Sequence, residues 1–330
     1  MSDKLAKTIQ RFQSRIDNGS FYEAHQTLRT ITNRYVKAKQ FSEAKDLLYQ
    51  GATILVNNKE YASASDLITY LVQIYTEEGV EVSDRDAKNR LIDLVSGIPN
   101  DDPSLVDLSK VCISWSKQSS ECSKFGDPDL HHLFGSKLLQ WLSDGSNNGN
   151  GNNKGVPDET AVKQAQTVEE KSKVFAVAEI HLVLGTFRSV PLYVDYLVSC
   201  SKANPEVDPG VFLARAIINY AYLQNIKFVQ ESQQLFVASY SSAISSQSEF
   251  NYYNTYPLMN FLQLLVLTLE KDHATNAQKF RKLYDQYHTV LKQYELLAPV
   301  EYLGRLYFGL NIGNAQGNNM LANIMSGLFK

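Results

Sequence analysis

His131-His132, with Asp127 and Asp129 just upstream, offers residue types that ligate transition metals. The spacing argues against that use. Adjacent residues on a helix point about 100° apart, so the two imidazoles do not share one ion. The acids fit instead as favourable charges in a helix first turn. His181 stands among Ile180, Leu182 and Val183 and reads as a packed histidine. Carboxylate pairs such as Glu77-Glu78 and Glu169-Glu170 read as solvated helix faces. No H-E-x-x-H, G-x-S-x-G or G-x-G-x-x-G occurs. The Gly-rich run from Ser143 to Gly155 lacks the Gly-Lys-Ser/Thr ending of a phosphate loop, and no strand pattern precedes it. The sequence supports no catalytic centre, no metal and no cofactor.

The elements that carry these residues repeat. Phe21-Tyr22-Glu23-Ala24, Phe41-Ser42-Glu43-Ala44 and Tyr61-Ala62-Ser63-Ala64 write aromatic-x-x-Ala three times, twenty residues apart. A polar pair precedes each one, and an apolar run at helical spacing follows. One helix and its turn take about twenty residues, and a pair takes about forty, the size of a helical solenoid repeat. The small Ala lets the next helix approach, and the aromatic fills the space beside it. The reading is all-α: an α-solenoid of stacked antiparallel helix pairs, resembling tetratricopeptide arrays, with about fourteen helices.

Helix one is expected near Lys4 to Asp17, and helices two to four end near Lys37, Asn57 and Glu78. Ser83, with Asp86 three residues on, reads as the cap of helix five. Asp127-Pro128 opens helix seven as N-cap and first helical position. The Asn/Gly-rich stretch 143–155 reads as a flexible insertion. It divides an N-terminal half, 1–142, from a C-terminal half, 156–330. Later helices are expected over Glu159–Leu184, Pro191–Ala203, Pro209–Gln224, Lys227–Ser245, Pro257–Glu270, Asn276–Tyr294, Val300–Phe308 and Asn319–Phe329.

Of 330 residues, 44% are hydrophobic, enough for a continuous core. Net charge is −3, from 32 basic and 35 acidic side chains, which gives no global pull towards nucleic acid or anionic lipid. Cys112, Cys122 and Cys200 form no C-x-x-C pair, as expected of reduced thiols in the cytosol. The opening Met1-Ser2-Asp3-Lys4-Leu5 has no apolar signal core. The most apolar run, Phe261–Leu269, is too short to span a bilayer. These features predict a soluble cytosolic protein that does not insert into a membrane.

Two surfaces stand out. Lys4, Lys7, Arg11 and Arg15, spaced 3, 4 and 4, line one stripe of helix one. Tyr22, His25, Gln26 and Arg29 line another on helix two. An ordinary solvated face accounts for these stripes equally well. Phe250, Tyr252, Tyr253 and Tyr256 lie in a Ser/Asn-rich loop and must tuck back or meet a partner. Met320, Leu321, Ile324, Met325, Leu328 and Phe329 form an apolar stripe that either caps the array or meets a partner.

Tyr22-Glu23-Ala24-His25-Gln26, Arg29-Thr30, Arg34-Tyr35, Glu43-Ala44, Leu47-Leu48-Tyr49 and Gly51-Ala52 resemble the Golgi-to-ER traffic protein four family. Ala64-Ser65-Asp66-Leu67, Asp129–Leu133, Pro257–Phe261 and Glu301–Gly309 are similar too, in order along nearly the whole chain. The Asn/Gly insertion and the lack of a long acidic tail depart from animal members and suggest a fungal one. The resemblance implies a cytosolic, non-catalytic scaffold. Its N-terminal half holds the dimeric ATPase that carries tail-anchored proteins to the ER. Its C-terminal half holds a ubiquitin-like-domain subunit, whose bound co-chaperone hands over the client. Carried onto this sequence, Arg11, Arg15, Tyr22, His25, Arg29 and Asp66 belong to the ATPase-facing half. Phe250, Tyr252, Tyr253, Tyr256, Leu306, Tyr307 and Phe308 belong to the half that meets the ubiquitin-like subunit. The alternative is a general helical-repeat peptide receptor, or a subunit of another large cytosolic assembly.

Overall fold

The computed structural model describes residues 3–119, 123–147, 168–240, 250–270 and 273–312. Among these residues there are fourteen α-helices and no strand. Two compact units divide the chain at Gly185 and Thr186. The first contains α1 (Asp3–Asp17), α2 (Phe21–Lys37), α3 (Phe41–Asn57), α4 (Tyr61–Glu78), α5 (Arg85–Ser96), α6 (Ser104–Ser116), α7 (Pro128–Asn147) and α8 (Val168–Leu184). The second contains α9 (Ser189–Ala203), α10 (Gly210–Tyr222), α11 (Ile226–Ala238), α12 (Pro257–Leu269), α13 (His273–Gln293) and α14 (Leu297–Phe308).

The twenty-residue period is built by one repeated turn. Gly19, Lys39, Lys59 and Gly79 are all left-handed, with φ of 76°, 57°, 63° and 77°. In each case the next N–H reaches back five residues to a helix carbonyl. These bonds are Ser20 to Arg15 at 2.9 Å, Gln40 to Tyr35 at 2.9 Å, Glu60 to Leu55 at 2.9 Å and Val80 to Tyr75 at 2.8 Å. This is a Schellman closure, which satisfies carbonyls that a helix end otherwise orphans. The next helix begins at once, at the aromatic of each repeat: Phe21, Phe41 and Tyr61. Ala24, Ala44 and Ala64 have no exposed surface, and Phe21 and Phe41 pack on the core. Gly51 lets α2 and α3 approach closely, since a Cβ there would meet a Leu28 methyl at 2.4 Å.

Past Gly79 the next two helices, α5 and α6, shorten to 12 and 13 residues, and the caps change. Asp84, not the expected Ser83, caps α5, accepting from the Asp86 and Ala87 N–H groups at 3.0 and 3.1 Å. Asp127 caps α7 as expected, accepting from Asp129 and Leu130 at 3.0 and 3.1 Å. α8, expected to open the C-terminal half, packs on α7 within the first unit, so the second half begins at 186 rather than 156. Close helix contact explains this. A Cβ on Gly135 would meet the Leu182 side chain and backbone at 3.1 Å.

In the second unit the buried Asp208 ties two helix starts together. Its carboxylate accepts from Gly210 at 2.8 Å and from Leu258 at 2.8 Å, which suits the positive end of a helix dipole. The Asn/Gly stretch 148–155, Cys122 and the stripe from Met320 to Phe329 lie outside the described residues. Of the remaining cysteines, Cys112 is buried and Cys200 half-buried.

Lys39 and Lys59 hold a conformation that costs an L-residue about 1–2 kcal/mol and costs Gly nothing, while Gly loses about 0.5–1 kcal/mol more chain entropy on folding. Lys39→Gly and Lys59→Gly should therefore each stabilise the first unit by roughly 0.5–1 kcal/mol. A higher denaturation midpoint in each variant is the expected result. A lowered midpoint would show that the lysine side chains hold these turns in another way.

Candidate functional site

The six residues expected at the N-terminal face lie on α1, α2 and α4, and of them His25, Arg29 and Asp66 are in direct contact. Arg11 and Arg15 are exposed on α1, one turn apart. The Arg15 guanidinium donates to the Thr27 hydroxyl of α2, and that hydroxyl donates to the Glu23 carbonyl at 2.7 Å. Between the helices lies a cleft of ≈ 140 Å³, with both arginines and Thr27 at its edge and Phe12, Leu28 and Ile31 among its apolar lining. Tyr22, in the first turn of α2, is 75% exposed.

One and two turns further along α2, His25 and Arg29 converge on Asp66 of α4. His25 Nε2 lies 2.8 Å from Asp66 Oδ2. A carboxylate only accepts, so Nε2 carries the proton in this contact. Arg29 donates to both Asp66 oxygens, and its guanidinium lies over the Tyr70 ring, 5.2 Å from the centroid. Burial alone would push the Asp66 carboxyl up. Hydrogen bonds from Arg29 and His25, with the attraction of the same two groups, outweigh burial and hold it below the usual carboxylate range. The sequence marked Asp66 as a single acid on a helix; the structure makes it the junction of a cluster. Tyr70 and Asn33, joined by a Tyr70 Oη to Asn33 Oδ1 bond of 2.6 Å, belong to the same seam and carried no mark in the sequence. Their one available signal was the repeat itself, which puts residues near twice the period apart on neighbouring faces.

The aromatic group of the second unit splits. Buried Asn260 and Gln263, one turn apart on α12, hold the loop backbone with both ends of their amides. Asn260 accepts from Tyr253 N–H at 2.9 Å and donates to its carbonyl at 2.7 Å. Gln263 does the same with Asn251 at 3.0 and 2.9 Å. Between these clamped residues Tyr252 points out and is 67% exposed. Phe250, Tyr253 and Tyr256 are half-buried, with Tyr253 and Tyr256 ring centroids 6.1 Å apart. Leu306 and Phe308 are half-buried on α14, and Phe308 packs 5.2 Å from Phe280. Tyr307, grouped with them in the sequence, is buried, and its hydroxyl donates to the Ala221 carbonyl at 2.8 Å. Its role is to tie α14 to α10.

The histidines first considered for metal also separate. His131 is buried and His132 half-buried. His131 Nε2 lies 3.0 Å from the Phe125 carbonyl, and its Nδ1 lies 2.8 Å from Nδ1 of buried His181. The carbonyl demands a proton on His131 Nε2, so His181 donates across the pair. Among the described residues no three His, Cys, Asp or Glu side chains gather as a metal site. No helix there is long and apolar enough to cross a membrane.

Stacked helix pairs with polar and aromatic surface residues define a helical-repeat protein of the solenoid class. The family model described as Golgi to ER traffic protein 4 matches residues 38–329, and the chain belongs to that family. Golgi to ER traffic protein 4 of Schizosaccharomyces pombe is 28% identical over 93% of this chain and 90% of its own length. The Aspergillus fumigatus protein of the same name is 27% identical over 100% and 91%. The crystal structure of C. therm. Get4 superposes with a TM-score of 0.76 over 99% of this chain and 96% of that one, at 24% identity, and shares the solenoid fold. Membership gives the chain a role in Golgi-to-ER traffic.

The buried imidazoles set an acid limit on the α7–α8 packing. Burial pushes both His131 and His181 down from the ordinary histidine value. Below about pH 6.5 the unfolded chain therefore binds protons that the folded one refuses, and stability falls by up to about 1.4 kcal/mol per pH unit for each histidine. The depressed Asp66 contributes in a different window: its stabilisation is present above about pH 4 and is lost only as pH falls below that. Denaturation midpoints should decline from pH 7 to 5 and decline less in His181→Leu. An equal decline in both proteins would remove the pair as the cause.

Proposed function

We propose that this chain is a non-catalytic cytosolic scaffold of tail-anchored-protein targeting. Its first unit engages the targeting ATPase, and its second engages a ubiquitin-like-domain subunit whose co-chaperone delivers the client. The observation that carries the reading is the face on α1, α2 and α4. An exposed Tyr22 stands in the first turn of α2, the helix that also carries Thr27 of the arginine-edged cleft and His25 and Arg29 of the cluster on Asp66. An exposed aromatic among ordered charged side chains is the usual make-up of a protein-binding hot spot. Guanidinium groups at the edge of such a patch speed and orient docking on an acidic partner more than they add affinity.

The second unit suits a different kind of contact. Tyr252, held outward by the Asn260 and Gln263 clamps, offers an aromatic side chain without a large ordering cost. Leu306 and Phe308 add apolar surface on α14. Such a contact is insensitive to salt and long-lived, as an adaptor that remains bound requires.

Two measurements test the reading. The double variant Arg11→Glu/Arg15→Glu should weaken ATPase binding about tenfold or more without changing helix content, and wild-type binding should weaken as salt rises. Unchanged affinity in titration calorimetry would sink the N-terminal assignment. Tyr252→Asp and Leu306→Asp should each release the ubiquitin-like subunit by about 1.5–3 kcal/mol, while ATPase binding persists. The boundary between units sets the fragments to compare, 1–185 and 186–330. Capture of the ubiquitin-like subunit by the first fragment alone would reverse the polarity proposed here.

A further inference from the structure

The α2–α4 seam is a zigzag with a regular step. His25 meets Asp66 and Arg29 meets Tyr70, both 41 residues apart; Arg29 also meets Asp66, and Tyr70 meets Asn33, both 37 apart. His25, Arg29 and Asn33 are spaced at i, i+4, i+8 on one helix, and Asp66 and Tyr70 at i, i+4 on the other. The three inner side chains, Asp66, Arg29 and Tyr70, are therefore each held from both sides along the seam. Arg29 stands at its centre, fixed in direction by a carboxylate on one side and an aromatic ring on the other. Its side chain stays 36% exposed, so the group so firmly held is also one that a partner can touch.

We infer that Tyr70 and Asn33 are positioning residues of the partner-binding face, acting through Arg29 by holding its guanidinium in one pose for an acceptor on the docking ATPase. Asp66 alone does not define that pose, because a guanidinium can pivot about a carboxylate. The Tyr70 ring removes the pivot by occupying the guanidinium face. The ring in turn is kept from swinging away by its hydroxyl, which anchors its far end by donating to Asn33 one turn beyond Arg29 on α2. An arginine ordered before docking has already lost its rotamer freedom, and binding then loses less. The same geometry gives Asp66 an indirect role: both its oxygens are engaged within the chain.

The inference rests on the reading of this face as the ATPase contact, and the test separates the two. Full-length chain is titrated with the dimeric targeting ATPase of the same organism, using wild type, Tyr70→Leu, Arg29→Ala and the double variant. Tyr70→Leu should weaken binding about three- to tenfold, and it should add nothing to Arg29→Ala, since its effect passes through the arginine. Tyr70→Phe, which keeps the ring and loses the bond to Asn33, should fall between wild type and Tyr70→Leu. An independent loss from Tyr70→Leu in the Arg29→Ala background, or no loss beside a weakened Arg29→Ala, overturns the inference. The Arg29 Nε–H resonance of the free chain gives a readout without any partner. It should exchange slowly in wild type and rapidly in Tyr70→Leu at unchanged helix content. If it is unaltered, the positioning role is gone whatever the ATPase does. If it responds and yet Arg29→Ala binds like wild type, positioning stands in the free chain, the face has been assigned to the wrong partner, and the inferred role in docking falls with that assignment.

Discussion

The left-handed residue that closes each early helix is the constraint on which the first unit depends. A helix that ends in a Schellman turn leaves the chain in one direction only, and here the next helix starts two residues later. The closures at residues 19, 39 and 59, each followed two residues later by a helix, fix the rotational register of α1, α2, α3 and α4 in turn. That register brings His25 to Asp66 across 41 residues of sequence. It also explains why two of the four closures tolerate lysine: the backbone bonds hold the turn whatever the side chain.

The forty-residue step outlives the turns that create it. Ser65 reaches Ser104 and Lys88 reaches Asp127, both 39 residues on, and Ser201 pairs with Tyr240, also 39 on in the second unit. Of these six residues only Ser65, on α4, belongs to the helices with the strict twenty-residue spacing. The step survives because each helix pair still advances by one layer, and shorter helices are offset by longer connections. Polar pairs at this offset stitch each layer to the next at the edges of the apolar core.

The sequence was most legible where backbone and packing obey the same period. The ends of α2, α3 and α4 were readable to the residue, because the aromatic, the buried Ala and the turn recur together. Legibility falls where a choice depends on local torsion or on a distant neighbour. Ser83 and Asp84 are both cap residues by type; only the extended backbone of Asp84, at φ −67° and ψ 103°, aims a carboxylate at the helix start. The assignment of α8 to the first unit turns on how closely Gly135 lets it approach α7. Tyr307 was grouped with Leu306 and Phe308 in the sequence, but one step along a helix turns a side chain by about 100°, here into the unit and onto the Ala221 carbonyl. Tyr70 and Asn33 look like ordinary helix residues until Arg29 is placed between them.

Under the function proposed here, the two faces would solve opposite problems with the same fold. A face that must release its partner gains from charges that steer docking yet are screened by salt, and from side chains ordered in advance, so that little is lost or gained beyond the docking itself. The α2–α4 seam has this form: its ion pairs are satisfied within the chain, and the surface it presents is rigid rather than sticky. A face that keeps its partner gains from apolar area, which carries no such salt dependence. The α12 amides serve that end indirectly. They pair the backbone N–H and C=O of Asn251 and Tyr253 on either side of Tyr252, so a partner can cover the ring without stranding those groups. In both units buried or half-buried polar side chains prepare the surface, and the residue that a partner would meet first is one that they hold in place.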